Sequence, residues 1–405
     1  MPTPQDFHIS PSLAFVLERP LDTLPSYYDS WKYCADNVRI LLTNGRIRPT
    51  LESLPLLRTE CLTRSHKQLR LAHLQLSTLV SAYIWCNGEE GVPSSLPCCL
   101  AVPYTELSRK LGIDVGIAPH ATVALGNYKV KPGCTDGSFS FNAENYDLLH
   151  FKFLDDYSND WFFLATLELE VEFARTLSPL FSLVKAASEG NETCMSQHLY
   201  TLASSIRGMR EKIPRLKLHL DPFVFFNQLR PFLSGTNANV FKRHGGGIIF
   251  KGVGDEKAPV KLVGGSAAQS CTLQSLDALL GIEHVTDVDE FLSSTRRFML
   301  PSHRRFIEWL RSGKPNVRSY ALQSTSGELI NSYNQCISEM VQFRSDHADL
   351  VKQYIIEPRT VVSRSRQNLL GQTGTGGSPL MVFLDKTVSS TKKSLITQPL
   401  TLHQF

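Results

Sequence analysis

The sequence lacks the features that define several large protein classes. No hydrophobic run approaches the roughly 18 residues that a membrane-spanning helix needs. The first eight residues have no basic start followed by an apolar core, so no secretory signal is expected. The nine cysteines are odd in number and lack paired spacing, which excludes a disulfide framework and a zinc site built from close Cys or His pairs. We therefore expect a reduced, cytoplasmic protein without a membrane anchor.

Charge of one sign is also scarce. Lys and Arg total 42 and Asp and Glu total 38, which leaves a net charge of +4. No clustered basic stripe is present, so we expect no nucleic-acid partner. The glycine run from His244 to Gly247 is not followed by Lys and Ser or Thr, which excludes a phosphate-binding loop.

The remaining composition is that of an ordinary folded protein with room for two domains. Hydrophobic residues make up 42% and charged residues 20% of 405 residues. Prolines divide the first half into short elements, with one strong helical pattern at about 65–85 and possible short strands at 122–128 and 147–154. The Gly- and Ser-rich region 129–145 is a candidate linker. We predict a mainly α protein with a smaller mixed α/β N-terminal domain, 1–145, and a large all-helical domain, 146–405.

From about residue 160 the apolar spacing is that of helices. The predicted helices are 161–187, 196–214, 222–234, 267–281, 286–298, 302–312, 326–356 and 380–395. The polar, Gly-rich stretch 363–378 predicts a mobile loop before the last of them.

The longest predicted helix carries two polar residues on an apolar face. Seven positions alternate in steps of four and three and therefore share one face. They are Tyr333, Ile337, Met340, Arg344, His347, Val351 and Tyr354. Because five are apolar or aromatic, we expect this face to be buried. A buried guanidinium without a partner costs several kcal/mol, so Arg344 needs one.

Two interpretations of this polar pair stay open on spacing alone. In the first, His347 is a satisfied core histidine and Arg344 extends to the edge of the core. In the second, His347 Nε2 ligates a haem iron, and Arg344 reaches a propionate from the preceding turn. One cofactor would then satisfy both side chains.

Several separated sequence blocks resemble one enzyme family. The blocks are FFNQLRPFLSG (225–235), GGSAAQS (264–270), LDALLG (276–281), FMLPSHR (298–304), FRSDH (343–347), YIIEP (354–358), GTGG (374–377) and, in the first half, LAVPY (100–104). In this order and spacing the chain resembles the indoleamine 2,3-dioxygenase family over nearly its whole length. The family also includes dioxygenase-like molluscan myoglobins.

The resemblance implies a haem b site in the large helical domain, with the small domain closing over its distal face. It makes His347 the iron ligand and Arg344 the propionate contact. It also places Asp277 where a carboxylate would orient His347, directly or through water. The alternative for Asp277 is a surface position on an amphipathic helix.

The same resemblance implies a substrate pocket on the distal side. Arg230 would bind the substrate carboxylate, since a planar guanidinium fits a carboxylate with two parallel bonds. Phe225 would pack on the indole, and Thr375 would close over it on the glycine-rich loop. Ser266 completes the predicted catalytic set. The other predicted pocket residues are Phe162, Phe163, His120, Val123, Ala124, Leu233, Gly265 and Ala267. Ser266 and Ala267 would lie beside the bound O₂. The alternative for the aromatic residues is that they belong to the ordinary helix core.

The chain also departs from the pattern common in vertebrate members. His120 stands where Tyr is frequent, Val123 and Ala124 replace a Cys–Val pair, and Thr236 stands where many members have Trp. These differences predict altered substrate fit rather than a different reaction.

The resemblance implies a dioxygenase that inserts both atoms of O₂ into the indole C2–C3 bond of L-tryptophan. The product would be N-formylkynurenine, in the first step of the kynurenine pathway. Such an enzyme needs an electron donor to keep iron ferrous, and we expect a monomer. The alternative is an O₂ carrier derived from a dioxygenase. Arg230, Phe225, Ser266 and Thr375 favour the enzyme, because a carrier needs no buried arginine directed at a carboxylate.

Overall fold

The structure, a computed structural model, describes residues 1–134, 141–236, 239–254, 258–313, 316–362, 375 and 380–397. Helices dominate these ranges, which confirms the predicted mainly α class. The α-helices are α1 Asp29–Asp36, α2 Val38–Thr43, α3 Ile47–Glu52, α4 His66–Trp85, α5 Cys98–Leu111, α6 His120–Val123, α7 Tyr157–Glu172, α8 Ala174–Ser188, α9 Glu192–Arg210, α10 Pro222–Val224, α11 Arg230–Leu233, α12 Cys271–Leu280, α13 Thr286–Thr295, α14 Pro301–Ser312, α15 Val317–Gln323, α16 Gly327–Val351, α17 Glu357–Val362 and α18 Leu380–Lys392.

Short elements complete the described chain. Two π-helical turns, π1 Phe225–Leu229 and π2 Lys352–Ile356, join α10 to α11 and α16 to α17. Turns of 3-10 helix span Pro4–Phe7, Ser26–Tyr28, Glu60–Arg64, Ala143–Asn145, Ile213–Leu218, Asn239–His244, Ala267–Gln269 and Arg296–Phe298. The strands are β1 Ser95–Leu96, β2 Lys129–Val130, β3 Tyr146–Asp147 and β4 Ile249–Phe250.

The mixed α/β character expected for the first 145 residues is not confirmed. The strands described there, β1 and β2, are two residues long, and each pairs with a strand from beyond residue 145. β1 lies parallel to β4, and β2 lies antiparallel to β3. The first half is instead built mainly from helices. The division at 145/146 stays a prediction.

Capping residues explain where the two longest helices begin. The Ser65 side chain accepts a hydrogen bond from Gln68 N at the start of α4, and Ser326 accepts one from Leu329 N at the start of α16. Both starts lie within a residue of the predicted ones. Every residue of α4 from Leu69 to Trp85 is buried, so this helix is a central element of the core rather than an amphipathic cover.

Other helix boundaries were predicted less well. Helix α5 was missed because Pro103 was interpreted as a break, whereas the helix continues through it. The predicted helix 161–187 is two helices that divide at Phe173. The helix predicted to end at 356 continues through π2 to Val362. Proline removes one hydrogen bond and bends a helix, but surrounding packing decides whether the helix stops.

Packing of the long helices forms the body of the protein. Helix α9 packs against α8 and α16, α16 also packs against α18, and α12 packs against α14. One continuous hydrophobic core includes residues from both halves of the chain, from Phe7 to Tyr354. Of the helices in the described ranges, none combines the length and apolar character needed to cross a membrane.

Candidate functional site

A cavity of ≈ 310 Å³ lies among α6, α7, π1, α11, α12, α16, π2 and α18. All fifteen residues that the sequence predicted for the site line it, although they are spread from position 120 to position 375. They are His120, Val123, Ala124, Phe162, Phe163, Phe225, Arg230, Leu233, Gly265, Ser266, Ala267, Asp277, Arg344, His347 and Thr375.

Aromatic rings form much of the cavity wall. The Phe162 ring centroid lies 5.1 Å from that of Phe163 and 5.0 Å from that of Phe225. The Phe225 ring in turn meets Tyr354 edge-on at 6.2 Å. These rings therefore pack on one another and also face the cavity. They are part of the helix core and of the pocket wall at the same time.

The two π-helical turns both lie at this cavity. π1 ends directly before Arg230, and π2 directly follows the helix that carries His347. A π turn holds one extra residue and is frequent at functional sites. The two turns contact each other, and Phe225 and Tyr354 are the ring pair between them. The extra residue in π1 helps set the direction in which Arg230 leaves its helix.

Arg230 brings a buried positive charge to the wall. Only 2% of the residue is exposed, and its guanidinium lies 5.6 Å from the centre of the Phe226 ring. Burial, and then the charge of Arg359, lowers its pKa to about 10. The guanidinium is therefore still charged at neutral pH, in surroundings where charge interactions are strong.

His347 is half-buried at the cavity and is neutral at pH 7. Burial, and then the nearby Arg344 charge, lowers the pKa of its imidazole to about 4. Over the ranges the structure describes, no protein group hydrogen-bonds either of its ring nitrogens. The interpretation as a satisfied core histidine therefore finds no support in these ranges. A neutral imidazole with an available lone pair is the form that ligates a metal.

Arg344 and Asp277 form a buried ion pair. Arg344 Nη2 lies 2.7 Å from both Asp277 oxygens, and Nη1 donates to Thr391 Oγ1 of α18. His284 Nε2 lies 3.0 Å from Asp277 Oδ2. Burial alone would raise the Asp277 pKa, but the Arg344 charge and the His284 hydrogen bond hold it below its usual value. Asp277 is thus not a surface residue, and its carboxylate contacts Arg344 and His284 rather than His347.

A close backbone contact shapes the small-residue side of the cavity. Thr375 Oγ1 donates to the Gly265 carbonyl oxygen, and a Cβ on Gly264 would overlap the carbonyl oxygens of Thr375 and Leu233. Ser266 Oγ accepts a hydrogen bond from Ala268 N and caps the following 3-10 turn. Gly374, Gly376 and Gly377, predicted to move with Thr375, lie outside the described residues, as does most of the predicted loop 363–378.

The Val123, Ala124 and Thr236 differences have distinct locations. Val123 and Ala124 line the cavity, whereas Thr236 does not. Thr236 is fully buried, and its hydroxyl accepts a hydrogen bond from Leu262 N at 2.8 Å. It therefore holds two backbone segments together.

The sequence analysis did not predict several of the described lining residues, and one of these carries a charge. Glu170 on α7 is buried, lines the cavity and lies 3.0 Å from His120 Nε2. It stands seven positions after Phe163 and three after Leu167, which are both buried. A carboxylate in step with an apolar helix face was the signal that would have identified it.

The residues present fit a haem. The cavity wall is largely apolar, as a macrocycle requires, and His347 offers a neutral nitrogen that has no partner in the described ranges. Arg344, one turn away, offers a cation for a carboxylate group. A mainly helical fold with this site belongs to the class of haem proteins that handle O₂.

Comparison with known proteins identifies the family. The model of the family described as indoleamine 2,3-dioxygenase matches residues 3–394. The chain is 35% identical to indoleamine 2,3-dioxygenase 1 of Rattus norvegicus, over 98% of this chain and 96% of that protein. It is 32% identical to indoleamine 2,3-dioxygenase 2 of Homo sapiens, over 97% of this chain and 95% of that protein. It is 31% identical to a myoglobin of Haliotis madaka, over 96% of this chain and 97% of that protein. The chain belongs to the indoleamine 2,3-dioxygenase family. It is accordingly a haem b-dependent dioxygenase with a role in tryptophan catabolism.

Proposed function

We propose that the protein cleaves the indole C2–C3 bond of L-tryptophan with O₂ and forms N-formylkynurenine, the first step of the kynurenine pathway. The observation that carries the proposal is the buried Arg230 guanidinium in the wall of the same cavity as the neutral His347 imidazole. A guanidinium in a pocket wall binds a carboxylate through charge-assisted hydrogen bonds. An amino acid offers such a carboxylate.

The protein would hold its cofactor through two residues of α16. His347 would supply a nitrogen ligand to the iron, and Arg344 would bind a propionate while Asp277 balances its charge. The haem supplies the redox chemistry that activates O₂ when it is bound.

The remaining residues bind and orient the substrate. Arg230 would take the carboxylate through two parallel hydrogen bonds and so fix the position of the amino acid. Phe162 and Phe225 would pack against the indole, and their rings already lie 5.0 Å apart in the wall. The small residues Gly265 and Ala267 leave room above the reacting bond. An apolar wall keeps water away from the reaction.

Thr375 would close the site. Its hydroxyl already donates to the Gly265 carbonyl oxygen, and its own carbonyl oxygen lies against Gly264. Thr375, held at the small-residue side of the cavity, would reduce exchange with solvent while substrate is bound.

A second candidate is an O₂ carrier, which the likeness to the Haliotis madaka myoglobin favours. Fold alone does not decide between them. Arg230 favours catalysis, because a guanidinium in the cavity wall can bind a substrate carboxylate, which O₂ carriage does not require.

Turnover distinguishes the two candidates. The ferrous, haem-loaded protein is mixed with L-tryptophan and O₂, and N-formylkynurenine is followed by its near-ultraviolet absorbance. We expect product, and a sharp loss of product in Arg230→Ala with haem retained. A stable oxygenated protein that forms no product would contradict the enzyme proposal and favour the carrier.

We further propose a cytoplasmic monomer that is served by an external electron donor. All nine cysteines are free thiols, which fits a reducing compartment. An iron that must stay ferrous needs a source of electrons. Sedimentation at micromolar concentration tests the monomer, and a dimer there would contradict it.

A further inference from the structure

His120 and Glu170 form a second polar pair in the cavity wall, beside the Arg344–Asp277 pair. The proposed function gives this second pair no role. His120 Nε2 lies 3.0 Å from Glu170 Oε1, and Thr272 Oγ1 donates to Glu170 Oε2 at 2.7 Å. Both members of the pair are more than nine-tenths buried, with exposures of 7% and 2%. The backbone N–H of His120 donates to Gln269 Oε1 at 3.1 Å. His120 is therefore held directly by Glu170 and Gln269, and Thr272 in turn holds Glu170.

Glu170 is the charged member of this pair. Burial alone would raise its pKa, but hydrogen bonds from His120, Ser270 and Thr272 hold its pKa below the usual value. An ionised carboxylate only accepts hydrogen bonds. His120 Nε2 must therefore carry the proton that lies between the two side chains.

This proton fixes what the other ring nitrogen can do. In the neutral imidazole, a proton on Nε2 leaves Nδ1 as an acceptor with a free lone pair. Across the described ranges, no protein group donates a hydrogen bond to Nδ1, and His120 lines the cavity. An acceptor on a cavity wall is available to a hydrogen-bond donor of a bound ligand.

We propose that the neutral His120 imidazole accepts a hydrogen bond at Nδ1 from an N–H group of the substrate, and that Glu170 is the positioning residue that selects its Nε2–H tautomer. The inference rests on the proposed function, since it concerns how the same substrate is recognised. Two N–H donors are available on tryptophan, the indole nitrogen and the α-ammonium group. Either satisfies the same acceptor, and the experiment below separates them.

The matched substitutions are His120→Gln and His120→Asn. The Gln amide nitrogen stands near the former Nε2 and keeps the hydrogen bond to Glu170, but no atom remains at Nδ1. The Asn amide instead stands near the former Nδ1 and retains an acceptor oxygen there. His120→Gln therefore removes only the proposed contact, and His120→Asn should rescue it.

The measurement is the Kd of the haem-loaded protein for three ligands, followed by the change in haem absorbance. The ligands are L-tryptophan, 3-(benzofuran-3-yl)-L-alanine, which lacks the indole N–H, and indole-3-propionate, which lacks the ammonium group. In the wild-type protein, the analogue that lacks the N–H donor for this hydrogen bond should bind about tenfold more weakly than L-tryptophan.

In His120→Gln, the Kd of that analogue should lie within about twofold of the Kd for L-tryptophan. In His120→Asn, most of the tenfold difference should return. Loss of discrimination against the benzofuran assigns the contact to the indole nitrogen, and loss against the propionate assigns it to the ammonium. If His120→Gln changes all three Kd values by the same factor, His120 only shapes the pocket and the proposal is overturned.

Glu170→Gln tests the positioning role. The Gln amide can donate to the imidazole as well as accept from it, so both tautomers become possible. Nitrogen-15 NMR of the CO-bound ferrous protein should show one His120 tautomer in the wild type and a mixture in Glu170→Gln. KM for L-tryptophan should rise several-fold with kcat little changed, because the contact is made equally in the ground and transition states. An unchanged tautomer with an unchanged KM would remove the role of Glu170.

The inference and the proposed function fail separately. If wild-type protein binds L-tryptophan with the predicted discrimination but forms no product, the recognition contact stands and the catalytic proposal falls. If product forms but the binding ratios do not depend on residue 120, the catalytic proposal stands and the recognition contact falls.

Discussion

A single nitrogen of Arg344 lies 2.7 Å from both carboxylate oxygens of Asp277. The two residues are 67 positions apart in the chain, and both are buried at the cavity wall. The pair joins α12 to α16, and the Arg344 contact with Thr391 extends it to α18. The Arg344 guanidinium therefore links three helices at the cavity wall.

Removal of the negative partner should destabilise the protein strongly. Asp277→Asn leaves the Arg344 guanidinium buried without a counter-charge, for which a loss of about 3–5 kcal/mol is expected. Urea unfolding at pH 7 measures it. Asp287→Asn is the matched control, because Asp287 pairs with Lys386 of the same α18 but at the exposed surface. A similar effect of the two substitutions would contradict the importance assigned to the buried pair.

Stability should fall as the pH is lowered from 7 to 5. Burial lowers the pKa of His73 and of His303 to about 3, so only the unfolded chain takes up their protons below about pH 6.5. Each should remove about 2 kcal/mol by pH 5. The Asp277 pKa is held low in the folded state, so its contribution is present above about pH 4 and is lost only below that. Urea unfolding across this range follows both effects.

Substitution of one buried histidine isolates its share of the slope. His303→Gln should flatten the dependence of unfolding free energy on pH between 7 and 5 by about 2 kcal/mol, whatever it does to stability at pH 7. His198→Gln, at a half-exposed position on α9, is the control and should leave the slope unchanged. An identical slope in wild type and His303→Gln would be inconsistent with a neutral buried imidazole.

Cofactor retention and substrate turnover should separate by residue. His347→Ala should abolish the Soret band of the reconstituted protein, because it removes the axial nitrogen. Arg230→Ala should keep the band but lose most tryptophan turnover, since its guanidinium would bind the substrate carboxylate rather than the haem. Absorbance and product formation are measured on the same samples. A normal Soret band in His347→Ala would refute the ligand assignment.

The contact between Gly264 and Thr375 should be intolerant of a methyl group. In Gly264→Ala the new Cβ would overlap two carbonyl oxygens and lie 2.6 Å from Gly235 N, all of them backbone atoms that cannot rotate away. We expect a loss of about 1–3 kcal/mol in stability, and a lower kcat/KM as Thr375 is displaced. Gly313→Ala is the control, because its Cβ would meet only the Leu310 carbonyl oxygen at 3.5 Å. Normal kcat/KM in Gly264→Ala would show that the contact has no role in turnover.

The sequence predicts features that depend on neighbouring residues better than features that depend on contacts between distant parts of the chain. Helix α4 and its start at Ser65 were predictable, because capping and apolar pattern are local. Helix α5 was not, because only the surrounding core decides that Pro103 bends a helix without ending it. The buried face around His347 was visible from spacing alone. The Asp277 pairing with Arg344 and His284 was not, because it depends on how separate helices meet.

The site residues themselves illustrate the same limit. Their convergence on one cavity was implied by family resemblance, since no local pattern relates position 120 to position 375. Glu170 left a signal in its helical spacing, but the choice of His120 as its partner is a property of the folded chain.

The π turns make the length of two short segments as important as their composition. A π turn is a helical turn with one residue more than an α-helix needs, and that residue rotates everything after it by about 100°. Deletion of one residue between Phe225 and Leu229 would therefore restore regular α-helix and swing Arg230 about a quarter-turn around its helix axis. An insertion or deletion in these segments would redirect a charged side chain without any change in its identity, so in π1 and π2 residue count itself specifies the site.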